Sequence, residues 1–179
     1  TVTSKGNTFE NNGGYFEVND LTYGTILLEN DSQITMETDQ LISNPGGALE
    51  LLDQSKATLN NLELKSNGSW SSMYASGKSE ILLSNSLVTD NEGYIYLTNN
   101  SKGTFENNQI VSNKDMGIYL EGTAEVTLQG NTIANNLNHG VFLDGAAKAV
   151  LTGNTFNQNR SGLVLFGNSY ASFAENTIT

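Results

Sequence analysis

Residues 122–144, GTAEVTLQGNTIANNLNHGVFLD, and residues 145–166, GAAKAVLTGNTFNQNRSGLVLF, align as two copies of one unit, 23 and 22 residues long. Each copy holds three short apolar segments. In the first copy, Val126-Thr127-Leu128 alternates apolar, polar, apolar. The second segment centres on Ile133, with Asn136 three residues later, and Val141-Phe142-Leu143 alternates again. A period of two marks a strand with one buried face. The Gly and Asn residues between the segments supply the left-handed or bent backbone of tight turns. Three short strands per unit predict a three-faced parallel β-helix.

Working outward, the same apolar-x-x-Asn element runs down the whole chain. Its anchors are Phe9, Leu41, Leu64, Val88, Ile110, Ile133 and Phe156, with Ile178 at the end. The paired residues are Asn12, Asn44, Asn67, Asn91, Asn113, Asn136 and Asn159. Anchor spacings are 32, 23, 24, 22, 23, 23 and 22, a fixed period that marks a solenoid of about seven coils. The long first interval places about nine extra residues in a loop insertion within residues 13–25, around Asn19-Asp20. Insertions in solenoids become loops on one side, often the binding side.

The third segment tests this reading. Its inward pairs are Ile26/Leu28, Leu49/Leu51, Met73/Ala75, Ile95/Leu97, Ile118/Leu120, Val141/Leu143 and Leu163/Leu165, and all fourteen residues are apolar in a chain of 37% hydrophobic composition. An inward Asn at each bend is tolerated if it bonds backbone groups and its neighbours one coil away. A second row, Asn7, Asn108, Asn131, Asn154 and Asn176, lies two residues before the anchors. It breaks at Asp39, Leu62 and Ser86 and reads as a turn preference.

Bulk composition narrows the partners. Nineteen acids against eight bases give a net charge of −11, which repels nucleic-acid backbones and anionic membranes. Cationic partners, neutral glycans and metal ions are compatible with that field. No Cys is present, which excludes disulfides and Cys-based metal sites and fits secretion. No apolar run approaches the ~20 residues of a membrane span, so membrane insertion is not expected. The chain starts at Thr1, starts and stops inside a coil, and shows no capping helix. A single β-helix domain over residues 1–179 is expected, as a fragment or without its caps.

The run Gly-Asn-Thr-(Ile/Phe)-x-x-Asn, then Gly-(Val/Leu)-x-Leu, is carried by residues 130–143 and 153–165, with weaker copies across the chain. It resembles the right-handed parallel β-helix repeat of the pectate-lyase-like superfamily, especially its copper-related periplasmic NosD-type and carbohydrate-binding repeats. Phe9-Glu-Asn-Asn12, Phe156-Asn-Gln-Asn159 and Gly46-Gly-Ala-Leu49 resemble the FxxN and GGA(I/L/V) elements of polymorphic autotransporter passenger domains. These resemblances imply a right-handed β-helix. They do not imply one function, because this fold hosts enzymes, adhesins and scaffolds.

Between the inward pairs lies an outward row: Leu27, Glu50, Tyr74, Tyr96, Tyr119, Phe142 and Val164. With coils ~4.8 Å apart, Tyr74, Tyr96, Tyr119 and Phe142 form an exposed aromatic stripe, which suits sugar rings and protein interfaces alike. The bland reading is cross-strand stacking. A second outward row, Gln33, Lys56, Glu80, Lys102, Glu125, Lys148 and Tyr170, alternates in sign and fits register and solubility. A third, Thr3, Thr35, Thr58, Leu82, Thr104, Thr127, Val150 and Ser172, reads as β-propensity rather than an ice-binding ladder.

For catalysis the resemblance implies either a Ca²⁺-dependent lyase with an Arg base or a hydrolase with three Asp and a Gly-His-Gly element. The chain has one Arg, Arg160, and one Pro, Pro45, far apart. Asn138-His139-Gly140 matches part of the hydrolase element, with no Asp-Asp pair beside it. Glu121 and Asp144, one coil apart at the same turn, are the best carboxylate pair, as acids or as oxygen ligands for Ca²⁺. Zinc and copper lack their ligand sets.

The reading is a non-catalytic secreted or cell-surface β-helix, with the periplasm as the other compartment. Its stripe binds a polysaccharide or surface protein, as in an adhesin. The alternatives are a polysaccharide lyase or hydrolase using Glu121, Asp144 and His139, or a structural repeat of a surface fibre. Homo-oligomers would form through the stripe or uncapped ends.

Overall fold

The computed structural model of the chain describes residues 1–16, 21–68 and 70–179. It is a right-handed parallel β-helix of about seven coils, with no helix among the described residues. In the coil of residues 122–144, the strands are Glu125–Gln129, Thr132–Ala134 and His139–Leu143. The next coil repeats them as Lys148–Thr152, Thr155–Asn157 and Ser161–Leu165. First strands stack into one parallel sheet of eight, second strands into another of eight, and third strands into one of seven. The anchors pair in one column from Phe9 to Ile178.

Period-two alternation puts the inward residues in a continuous core. The third-strand pairs from Leu49/Leu51 to Val141/Leu143 are no more than 3% exposed. Each buried Leu or Ile contributes about 1.5–3 kcal/mol of transfer free energy. Ile26 and Leu163 are half-buried and Leu165 is exposed, because the outermost coils have a neighbour on one side only.

The first Asn row is a hydrogen-bonded ladder. From Asn44 to Asn136, each Nδ2 donates to Oδ1 of the next Asn at 2.8–3.2 Å. From Asn44 to Asn159, each Nδ2 also donates to the anchor carbonyl one coil back at 2.7–3.3 Å. The backbone N–H of each Asn from Asn12 to Asn136 donates to the next Oδ1 as well. Both amide hydrogens and both oxygen lone pairs are used, so burial carries little penalty.

The second row is a ladder too, not a turn preference. Asn108, Asn131 and Asn154 each donate Nδ2 to the next Asn, and Asn108, Asn131, Asn154 and Asn176 donate to first-strand carbonyls one coil back. Its broken start hid it. At both bends the residue before the ladder position has positive φ: Asn61, Asn85 and Asn107 at one, Ser66, Asp90 and Asn135 at the other. That left-handed step is what makes each bend tight.

The insertion has strand character on both sides. Gly14–Phe16 and Leu21–Tyr23 pair antiparallel, Gly14 opposite Tyr23. Residues 17–20, including Asn19-Asp20, lie outside the described residues. On the first sheet the alternating row forms ion pairs, Lys56–Glu80 at 2.9 Å, Lys102–Glu125 at 3.1 Å and Lys148–Glu125 at 3.4 Å. No helix among the described residues is long and apolar enough to cross a membrane.

Candidate ligand-binding face

The outward row of the third sheet is aligned as its spacing predicts. Leu27, Glu50, Tyr74, Tyr96, Tyr119, Phe142 and Val164 are strand neighbours in that order. Ring centroids are 5.4 Å apart for Tyr74–Tyr96, 4.9 Å for the stacked Tyr96–Tyr119 and 5.5 Å for Tyr119–Phe142.

One expectation needs correcting: the row is not an open stripe. Tyr96 is only 6% exposed. Trp70 and Tyr94, which the row did not include, pack edge-on against it at 5.2 and 5.8 Å. Tyr94 also meets Tyr119 edge-on at 5.5 Å, and Trp70 meets Tyr74 at 6.1 Å. The result is a two-layer cluster. Tyr94 and Tyr96 are its buried floor, Tyr74, Tyr119 and Phe142 are half-buried, and Trp70 is 52% exposed. Edge-on and offset rings contribute about 0.5–1.5 kcal/mol per pair beyond burial.

Local sequence explains the cluster. Tyr94-Ile95-Tyr96 puts two rings on the outer face with Ile95 in the core between them. Alternation placed Tyr96 outward, and the same period applied two residues earlier would have found Tyr94. Trp70 was harder to place, because it lies just before strand Ser71–Ala75, whose pairing slips between Ser71 and Met73. The coil carrying Tyr94 closes on it at Gly93, where any Cβ would lie 2.2 Å from the Trp70 carbonyl oxygen. Only glycine allows that approach.

Acids surround the rings. The Tyr96 hydroxyl donates to the Glu121 carboxylate. Burial, then that bond, pushes the Tyr96 phenol far above its ordinary range. Tyr94 is pushed up to about 12 by burial and by the charges of Asp115, Tyr119 and Glu121. Tyr119 is raised by burial and then by Glu121 and Asp144. At the other end of the row, burial raises Glu50, a Gly24 N–H bond at 3.2 Å opposes this, and Glu29 adds to it. The phenols therefore stay neutral donors in an anionic field.

The expected acid pair borders this face. Glu121 and Asp144 follow the aligned Leu120 and Leu143, and both act on Tyr119. Glu121 is engaged by Tyr96, and the Asp144 carboxylate accepts from the Gly145 N–H. His139 starts the third strand, five residues from Asp144 or roughly 16 Å of extended chain. It packs on Phe142 at 5.6 Å, and its Nδ1 is buried without a partner. Burial and then Arg160 lower its pKa, against Asp115. The fold thus sets His139 apart from the acid pair Glu121 and Asp144, with Asp115 the carboxylate that acts on it. Among the described residues no group of three or more His, Asp or Glu is placed to hold one metal ion. Glu121 and Asp144 alone do not fit Ca²⁺, which takes six to eight oxygens.

A family model described as right handed beta helix region matches residues 24–178. No curated protein and no solved structure matches the chain.

Proposed function

For a chain that belongs to the right-handed beta helix family, whose fold is a scaffold and not an activity, we propose a non-catalytic, secreted or cell-surface role: holding a glycan or protein ligand on the aromatic face of the third sheet. One observation carries this. Trp70, Tyr74, Tyr119 and Phe142 span four coils over a floor of Tyr94 and Tyr96, every neighbouring ring pair within 6.1 Å. Rings already fixed by their neighbours lose little entropy on binding. Their flat faces suit the C–H faces of sugars or apolar side chains. The acids at the rim favour ligands with hydroxyl or ammonium donors over uronates.

An enzyme working through Glu121, Asp144 and His139 has less support, since one acid is tied to Tyr96 and the His stands apart. A glycan-array screen, run with calcium and with chelator, tests the binding reading. Trp70→Ala with Tyr119→Ser should abolish retention and leave the circular dichroism spectrum unchanged. Retention equal to that of the parent protein would retire the proposal. Self-association lost in the same variant, with no glycan retained by either protein, would make the face an assembly surface.

A further inference from the structure

The bend between first and second strands differs along the helix. In the coils of Asn108, Asn131, Asn154 and Asn176 the second ladder is intact. In the three coils before them its positions hold Asp39, Leu62 and Ser86. There the bend opens into a trough of about 480 Å³, within the range usual for ligand sites. Asn61, Asn85 and Asn107 line one side, and the column Gln40, Glu63, Leu87 and Gln109 lines the other. Both walls end where the ladder becomes regular. Gln109 is followed in its column by Thr132 and Thr155. The left-handed position of Asn107 is taken by Gly130 and Gly153.

The trough is polar and partly pre-arranged. Gln40 Nε2 donates to Glu63 Oε2 at 2.8 Å, and Asn85 Nδ2 donates to Asn60 Oδ1 at 2.9 Å. The lining residue Asp39 is wholly buried, and its Oδ1 accepts from the Asn7 backbone N at 2.6 Å and from Asn7 Nδ2 at 3.2 Å. Its Oδ2 is buried with no partner. Intact ladder positions leave no such atom, because Nδ2 reaches a carbonyl one coil back. The early coils have given up ladder bonds, and the bend there is lined by Gln and Asn amides together with Glu63, Leu62 and Leu87.

We propose that this trough binds an extended neutral oligosaccharide lying along the helix axis. The amides of Asn61, Asn85 and Asn107 offer donors and acceptors at steps of ~4.8 Å, close to the advance of an extended sugar chain. A hydroxyl-rich ligand matches both, whereas Asp39, Glu63 and the net charge of −11 repel an anionic one. The site is at a bend of the first two sheets, separate from the aromatic face, and does not rest on the function proposed for that face.

The test titrates four neutral tetrasaccharides, of β-1,4-glucose, α-1,4-glucose, β-1,4-mannose and β-1,4-N-acetylglucosamine, into the full chain by amide NMR. Tetragalacturonate serves as the anionic control. The variant Asn61→Gly/Asn85→Gly/Gln109→Thr copies the later coils and keeps the left-handed steps, so it should fold. At least one neutral probe should shift residues of 38–63 and 85–109, and the variant should weaken it about tenfold or more, the loss of a few hydrogen bonds. Trp70→Ala/Tyr119→Ser should bind it unchanged. No neutral probe binding, shifts confined to the aromatic face, full binding by the trough variant, or equal binding of tetragalacturonate would each overturn the proposal. If the trough variant misfolds, Glu63→Gln replaces it. It should admit the anionic probe better without losing the neutral one, and the reverse outcome overturns the site.

Discussion

Residues 122–166 and residues 38–100 are built on one plan but keep to it differently. In the later stretch both ladders are unbroken and the third strands pair without a slip. In the earlier stretch the second ladder fails at Asp39, Leu62 and Ser86, and the pairing of Ser71–Ala75 slips. The phenol-rich floor and its exposed Trp70 also belong there. The regular coils are dictated by the repeat. The irregular ones spend repeat interactions on a trough and a ring cluster, which is where departures from consistency are expected to carry function.

The largest effect should come from breaking the regular stretch. Asn131→Ala removes the bonds that Asn131 Oδ1 accepts from the Asn108 backbone N and Nδ2, and those its Nδ2 donates to the Phe105 carbonyl and to Asn154 Oδ1. Four buried polar groups lose a partner, of which Asn154 Oδ1 keeps its bond from the residue 131 backbone N; at about 1–3 kcal/mol for each of the other three, urea denaturation should show a loss of about 3 kcal/mol or more. A loss below about 1 kcal/mol would mean that the ladder is ornamental and that the contrast between the stretches has no energetic content.

A smaller change of opposite sign should follow from repairing the irregular stretch. Ser86→Asn offers Oδ1 to the Leu62 backbone N, which now bonds Ser86 Oγ at 3.0 Å. Its Nδ2 gains Asn108 Oδ1, which Ser86 reaches today only through its backbone N. The gain should be about 1 kcal/mol, read as a higher urea midpoint at constant slope. A destabilised protein would show that the early bend has a shape of its own, not merely a missing amide.

This contrast also explains what could be read in advance. The anchors, the inward pairs and the first ladder recur in every coil, so spacing alone exposed them. The second ladder was lost because Asp39, Leu62 and Ser86 interrupt it before the pattern is established, although four of its Asn residues follow in register. The outward row was placed correctly, but its burial was not. Alternation says which way Tyr96 points, not that Trp70 and Tyr94 arrive from neighbouring positions to cover it. Trp70 reaches it across a strand irregularity, which has no period to detect. The trough depends on the side chains of four coils together, and no single coil announces it.

The smallest effect distinguishes the stretches by pH. Burial first, then Asp115, Tyr119 and Glu121, push the Tyr94 phenol up to about 12, and Tyr96 and Tyr119 are raised as well. An unfolded phenol titrates near ~10. The folded state therefore holds protons that the unfolded state releases. This contribution is complete below about pH 10 and is lost as pH rises through about 12. Tyr94→Phe should flatten the fall in stability over that window and leave neutral-pH stability nearly unchanged, apart from the lost hydroxyl. Hydrogen exchange at rising pH, corrected for the intrinsic rate, should show Ser71–Ala75 and Tyr94–Leu97 opening before His139–Leu143. Where the phenols cluster, alkali has something to ionise. Strand His139–Leu143 presents Phe142 in the same column and gives alkali no such handle. Simultaneous opening of all three strands, with Tyr94→Phe matching the parent at every pH, would show that the ring cluster is not the weak point that its charges and burial imply.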